Sequence, residues 1–331
     1  MPQNLHAKSV VAIITPATAK ANNGNWRTAS RWQSLLERQF RTIVHSSWPI
    51  EPLPRAAAEA DILIALHARR SADSILRYRS ARPDAPLIVA LTGTDLYADL
   101  AVSAQARASL DMADALIVLQ EDAIQYVPRE HRKKTHVIYQ SAKTLVPATK
   151  IKHRLNCVVA GHLRAEKDPE IIFRLVESLP IDSPIHILHL GAPYDEALAE
   201  RARILSGSSA HYHWAGPPSH GLTRAAIKRA HLLIHPSIME GGANVIVEAL
   251  SAGTPVVASH MSGNIGMLGH DYDGYFPVGD LVALRMLLER CARDANFLLR
   301  LNTACAARAK LFLPSAERNA LVKLITQLVL H

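Results

Sequence analysis

The sequence predicts an α/β protein built from two doubly wound, Rossmann-like lobes with a cleft between them. Three observations predict it. Short apolar runs alternate with stretches of helical periodicity along most of the chain, the pattern of parallel sheets covered by helices. Residues 232–259 form a strand–helix–strand unit: an apolar run stops at Pro236, a glycine pair opens a helix, Gly253 and Pro255 end it, and 255–259 return as a strand. Around residues 146–150 the pattern loosens, and a second series begins at 156–161. The predicted division is a first lobe over 1–150, a second over 151–313, and a closing helical segment, 314–331, packing back on the first lobe.

In the first lobe, residues 10–14 are an apolar strand. Asn22-Asn23-Gly24-Asn25 follows as a turn cluster, and Ala29, Trp32, Leu35, Leu36 and Phe40 then recur at helical spacing over 25–39. Strands are expected over 42–45, 61–67, 86–91, 115–119 and 136–139, with Pro52, Pro54 and a short Ala-rich helix between the second and third. Ligands of such sheets bind beyond the carboxyl ends of the strands. His67, Arg69, Arg70, Thr94 and Asp95 fall at such ends, and Gly24-Asn25 fall after the first strand. A basic pair directly after His67 suits an anion, because cations are not otherwise favoured in a first helical turn.

The second lobe is read as strands over 156–161, 185–190, 211–214, 232–234 and 255–259, with helices between them and helical segments to the end. Arg164 and Lys167 follow its first strand and can neutralise an anion by charge pairing. The glycine turn has the same affinity. Amides of a first helical turn point outward, and Gly241-Gly242 allow close approach of a ligand to the backbone. Glu240 and Glu248 frame that turn and, as carboxylates, suit sugar hydroxyls better than phosphate.

A chain of 331 residues, 49% of them apolar, suffices for about two domains. No apolar run is long enough for a membrane span, and the start of the chain lacks a secretory pattern. Cys157, Cys291 and Cys305 have no ligand spacing and read as reduced thiols of a cytoplasmic protein. The net charge of +8 calls for an acidic partner. Dispersed cations and 5% aromatic residues argue against nucleic acid. An anionic membrane stays open on charge alone, and phosphorylated small molecules are favoured by the glycine turn. The pairs His186/His189 and His211/His213 lack accompanying ligands and read as strand and surface histidines, so no metal is expected.

Glu240 and Glu248 form a Glu-x7-Glu pair inside Pro-Ser-x-x-Glu-Gly-Gly, followed by Glu-Ala-Leu-Ser-Ala-Gly-Thr-Pro-Val-Val-Ala-Ser. This resembles the donor-site signature of retaining GT-B glycosyltransferases of family 4. The resemblance implies the GT-B architecture, a UDP-sugar co-substrate and no metal cofactor. It also implies Glu240 at the donor sugar, Glu248 at the nucleotide ribose, and amides of Gly241, Gly242, Ala243 and Asn244 around the sugar and diphosphate. Where the family carries Gly-Arg-Leu-x-x-x-Lys-Gly, this chain reads Gly161-His162-Leu163-Arg164-Ala165-Glu166-Lys167-Asp168. Lys167 matches, and His162 takes the arginine's place, with Arg164 nearby. The family's first-lobe histidine maps to His67, expected beside the reacting carbon.

Residues 24–29, 61–72, 91–97 and 161–169 further resemble the selenosugar synthases of selenoneine biosynthesis. That resemblance implies UDP-N-acetylglucosamine or UDP-glucose as donor and selenophosphate as acceptor. A small, strongly nucleophilic anion needs placement more than a general base. Gly24, Asn25, Arg69, Arg70, Thr94 and Asp95 are the expected acceptor side, with His67 and Glu240 catalytic. Two rivals stand beside this reading: a family 4 transferase with a carbohydrate or lipid acceptor, and a non-catalytic nucleotide-sugar-binding protein. The helix over 25–39 has Arg27, Arg31 and Arg38 but also Glu37 and Trp32, so membrane contact is not expected.

Overall fold

The computed structural model describes residues 8–16, 24–49, 60–151 and 153–330. The chain divides into two compact units, Met1–Gln140 with Pro314–His331, and Ser141–Leu313.

The first unit carries β1 (Val10–Ile14), α1 (Gly24–Leu36), β2 (Arg41–His45), β3 (Ile62–Leu66), α2 (Ala72–Ala81), β4 (Leu87–Leu91), α3 (Ala104–Met112), β5 (Ala115–Val118) and β6 (Thr135–Val137). All strands are parallel, in the order β2-β1-β3-β4-β5-β6. β3, β4 and β5 are buried throughout, which is why they read as uninterrupted apolar runs rather than as alternating ones. The strand order reverses between β1 and β3. There Ile14 pairs with Ala65, and Leu66 pairs with Ala90 of β4, so the carboxyl ends of β1, β3 and β4 lie side by side. Gly24 and Asn25, expected in a turn, instead open α1. Asn22 and Asn23, Pro52, Pro54 and the Ala-rich stretch after them fall outside the described residues.

The second unit carries β7 (Leu155–Ala160), α4 (Pro169–Glu177), β8 (Ile185–Leu190), α5 (Glu196–Ser208), β9 (Tyr212–Trp214), α6 (His220–Arg229), β10 (Leu232–His235), α7 (Asn244–Ser251), β11 (Val256–Ser259), α8 (Ser262–Leu268), β12 (Tyr275–Phe276), α9 (Leu281–Arg293) and α10 (Ala295–Ala309). Its strands are again all parallel, ordered β12-β11-β10-β7-β8-β9. The order reverses between β7 and β10, where a doubly wound sheet opens its ligand crevice. β12 was not foreseen; it is a two-residue strand on β11, too short to show a period. The stretch 146–150, read as a linker, belongs to the second unit. Leu145 N–H donates to Ser251 O at 2.8 Å, and the Lys150 ammonium donates to the carbonyls of Lys228 and Ala230, both at 2.6 Å. The change of unit falls after Gln140.

The closing helix, α11 (Pro314–Val329), belongs to the first unit. Leu321, Leu324 and Ile325 join Trp32, Leu36 and Ile13 in one apolar layer over the sheet. Glu317 fastens the layer. Its carboxylate, 2% exposed, accepts from Trp32 Nε1 at 2.7 Å and from Arg31 Nε at 2.9 and 3.1 Å. Leaving the Trp32 indole N–H unpaired in a dry core would be costly, so this acid is the polar counterpart of the apolar seam.

Candidate active site

At the reversal point of the second sheet, the segments after β7 and β10 bring two charged residues together. After β7, Ala165–Lys167 form a short 3-10 turn. Asp168 then adopts a left-handed conformation (φ 45°) and caps α4, its Oδ1 accepting from Ile171 N–H at 3.3 Å. This turn lays the Lys167 stem over Gly161, where a Cβ would stand 3.6 Å from Lys167 Cγ and Cδ. A backbone bond from Ile238 N–H to Glu166 O, 3.0 Å, ties the two segments to each other.

The result is an ion pair between the Lys167 ammonium and Glu240 Oε1, with His235 Nε2 3.3 Å from the same oxygen. Burial alone would raise the Glu240 pKa. The Lys167 charge and then His235 outweigh it and hold the carboxyl well below the usual range. The His235 pKa is lowered as well, there by burial at the end of β10, which keeps the ring neutral. From behind, α8 presses on Glu240. A Cβ at Gly263 would lie 2.1 Å from Glu240 O, so only glycine permits this approach.

Gly241 and Gly242 form a bend leading to Ala243, the N-cap of α7, whose side chain supplies no cap hydrogen bond. Asn244 is the first helical residue. Helices α4, α5, α6, α9 and α10 each begin with an Asp or Ser side chain accepting from their first turn. The N-cap of α7, an alanine, thus differs from these. One turn on, Glu248 is buried, and its Oε1 meets His220 Nε2 at 2.6 Å. Gly253, at φ +69°, ends this helix.

Arg164 stands apart. Its side chain is 45% exposed, with Nε 3.9 Å from Glu166 Oε2, and it does not join Lys167 and Glu240. His162 Nδ1 accepts from Ala192 N–H at 3.0 Å, and its ring packs against Tyr194 with centroids 4.6 Å apart. It fastens the segments after β7 and β8.

At the reversal point of the first sheet, His67 sits just beyond β3 in the left-handed region, at φ 74°. Such a conformation is costly for a residue with a Cβ, and three bonds hold it. His67 N–H donates to Ala90 O at 2.8 Å, Nδ1 accepts from Arg70 N–H at 3.3 Å, and Nε2 meets Thr94 Oγ1 at 3.0 Å. With Nδ1 accepting, the neutral ring carries its proton on Nε2 and donates to Thr94. Burial lowers the His67 pKa, against the opposing pull of Asp95 and Asp99, whose Oδ2 atoms lie 3.9 and 3.8 Å from the ring.

The His67 ring is 2% exposed with both nitrogens occupied, whereas its partner Thr94 is exposed. Asp95 is fully buried and accepts from the amides of Ala68 at 3.0 Å, Thr92 at 2.9 Å and Gly93 at 2.8 Å. It shapes the turn and is not available to a phosphate. Asp95 opens a π-helical turn, Asp95–Asp99, which also brings Asp99 to Arg69 Nε at 2.9 Å. Arg69 is therefore partly neutralised, while the exposed Arg70 has no ion pair among the described residues. Gly24 is exposed and Asn25 half-buried in the first turn of α1.

His189 and His211 are structural. His189 bonds Tyr212 Oη at 2.9 Å and Gly161 O at 3.2 Å, and His211 bonds the carbonyls of Ile185 and Ile181. Among the described residues no His, Cys, Asp or Glu group has the makings of a metal site. Cys157, Cys291 and Cys305 are buried and free, and burial raises each thiol's pKa. No described helix is long and apolar enough to cross a membrane. Sequence reasoning missed His235, His220, Asp99 and Gly263. His235 carried a usable signal, since it ends a buried strand as His67 does.

Residues 120–282 match the family model for glycosyl transferases group 1. Two six-stranded parallel sheets of this topology give the chain the GT-B fold. Among solved structures, the chain is similar to sucrose-phosphate synthase from Thermosynechococcus elongatus. The two share 19% identity over 97% of this chain and 99% of that one, with a TM-score of 0.76. It is also similar to HepE of Anabaena in complex with UDP and glucose, at 18% identity, 97% and 100% coverage and a TM-score of 0.68. A third is a glycosyltransferase from Rickettsia africae, at 12% identity, 97% and 99% coverage and a TM-score of 0.73. No curated protein matches the chain by sequence.

Proposed function

We propose that the chain is a selenosugar synthase: it transfers a hexosyl group from UDP-N-acetylglucosamine or UDP-glucose to selenophosphate. Selenium forms a bond to the anomeric carbon, the bond from that carbon to the UDP oxygen breaks, and UDP leaves with the electron pair. The observation that carries the transferase part is the Lys167–Glu240 pair at the reversal point of the second sheet, beside a helix start without a side-chain cap. Lys167 and the amides of Gly241 to Asn244 bind the diphosphate and stabilise the departing UDP. Glu240 takes the sugar hydroxyls and Glu248 the ribose. Structures similar to this chain have been solved with UDP and with UDP-glucose, which supports a UDP-sugar donor.

On the acceptor side, Arg70 supplies unpaired positive charge, Arg69 adds a second guanidinium, and Thr94 offers a hydroxyl whose orientation His67 fixes. Gly24 and Asn25 contribute from the start of α1. These groups suit a small anion that is already nucleophilic, and the segments that carry them are those resembling selenosugar synthases. The test is mass spectrometry of products from each UDP-sugar with selenophosphate, alongside carbohydrate acceptors. Formation of a hexosyl selenophosphate with stoichiometric UDP, or of the selenohexose left when water cleaves its Se–P bond and releases phosphate, supports the reading. Glycoside formation with a carbohydrate, and none with selenophosphate, refutes the acceptor; binding of UDP-sugar without turnover refutes the enzyme.

A further inference from the structure

Glu240 has two neighbours that differ in freedom. Lys167 contacts Oε1 from the end of a flexible stem, with its side chain 18% exposed. His235 lies 3.3 Å from the same oxygen, is 3% exposed, and is fixed as the last residue of β10, in register with Ala258 of β11. Its Nε2 has no hydrogen-bond partner with good geometry among the described residues. Two residues past His235, Ser237 O accepts from Ser259 Oγ, and Asn264 Nδ2 donates to Ser259 O at 2.9 Å and to Ser259 Oγ at 3.0 Å, with Ser259 and Asn264 fully buried. His235 is thus held by the sheet, whereas Lys167 reaches Glu240 through a stem of several rotatable bonds.

A nucleoside diphosphate brings at least two negative charges to the ends of β7 and β10. One ammonium bridging that diphosphate and a nearly buried carboxylate leaves excess negative charge in a poorly solvated place. We propose that Lys167 is handed from Glu240 to the diphosphate as the donor binds, and that His235 is the positioning residue that keeps Glu240 in place once Lys167 has gone. This rests on the donor-site reading above. Before the donor arrives, Lys167 covers Glu240; afterwards His235 turns its N–H fully onto the carboxylate, which then faces the sugar.

The consequence runs against the ordinary expectation for a binding-site substitution. Glu240→Gln releases Lys167 and should tighten UDP about fivefold to tenfold while removing sugar transfer. Lys167→Met should weaken UDP at least tenfold, and adding Glu240→Gln to it should give no further tightening. Simple repulsion between Glu240 and the nucleotide would instead tighten UDP in both backgrounds. His235→Phe leaves Glu240 dependent on Lys167 alone and should weaken UDP severalfold; combining it with Glu240→Gln should restore the tight binding. A merely structural histidine would not be rescued that way. The measurement is calorimetric titration of the full chain and these variants with UDP. Wild-type binding without tightening in Glu240→Gln, or tightening that persists in Lys167→Met, overturns the exchange. A His235→Phe defect that survives Glu240→Gln overturns its positioning role. A wild-type chain that binds no UDP overturns the donor site itself.

Discussion

Removing the Glu317 carboxylate should destabilise the first unit far more than a helix-surface acid would. In Glu317→Ala, the Trp32 indole N–H loses its 2.7 Å acceptor in a fully buried position, and the Arg31 guanidinium, 19% exposed, loses a two-oxygen partner. Deleting one partner of a buried charged pair costs about 3–5 kcal/mol, chiefly because the other partner stays buried and unsatisfied. For a unit of this size that corresponds to a fall in Tm of roughly 10 °C. Glu317→Gln keeps an acceptor for Trp32 and loses only the charge, so it should fall between Ala and wild type. Trp32→Phe removes a single hydrogen bond from Glu317 and should cost about 1–2 kcal/mol. The assay is urea unfolding followed by tryptophan fluorescence and circular dichroism, with the Trp32/Glu317 pair run as a double-mutant cycle. A Glu317→Ala loss under about 1 kcal/mol, or additivity within the cycle, would refute the clamp.

Four further outcomes are expected. Glu248→Ala should weaken UDP about tenfold or more in calorimetry, because a nearly buried carboxylate is lost from the proposed ribose contact. Neutralising Arg69 and Arg70 together should raise the acceptor KM and spare UDP affinity, with Arg70 the larger single effect since Arg69 is shared with Asp99; steady-state UDP release decides this. Gly263→Ala should push the Glu240 segment away and lower kcat at least tenfold with the fold intact by circular dichroism, because its Cβ would lie 2.1 Å from a backbone oxygen. His189, lowered by burial to about 4, makes stability depend on pH. The unfolded chain protonates this ring near its ordinary 6.5 and the folded chain does not, so stability is full above that value. It falls by up to about 3 kcal/mol as pH drops from 6.5 to 4, and His189→Gln should flatten the slope in unfolding titrations.

The α/β class was legible because both sheets are parallel and their inner strands are buried on both sides, leaving continuous apolar runs such as 62–66 and 87–91. What escaped detection had no period or no local cause. Tyr275–Phe276 is a strand only because β11 lies beside it. Residues 146–150 lack periodicity, yet they pack as irregular chain on the second unit. Asn and Gly suit both turns and helix starts, so Gly24-Asn25 read as the former while opening α1. In the candidate site, the spacing of Glu240 and Glu248 is a local feature that the sequence displays. Their partners His235 and His220 are joined to them only by folding. Asp95 looked available because nothing in the sequence tells that three backbone amides converge on it.

The order in which the chain is made gives the Glu317 clamp one more consequence. Trp32 and Glu317 are 285 residues apart, and the whole second unit is synthesised between them. At about 5–20 residues per second, the indole emerges on the order of tens of seconds before its acid. During that interval the ribosome holds a first sheet whose α1 side lacks α11, while Ser141–Leu313, contiguous in the chain, emerges in full before Glu317 does. The first unit is thus begun first and finished last. Nascent chains ending at Leu313, stalled through a C-terminal linker that holds this residue outside the exit tunnel, should be cleaved by protease within residues 8–140 and spared within 141–313, with protection spreading to the former once α11 is included ahead of the linker.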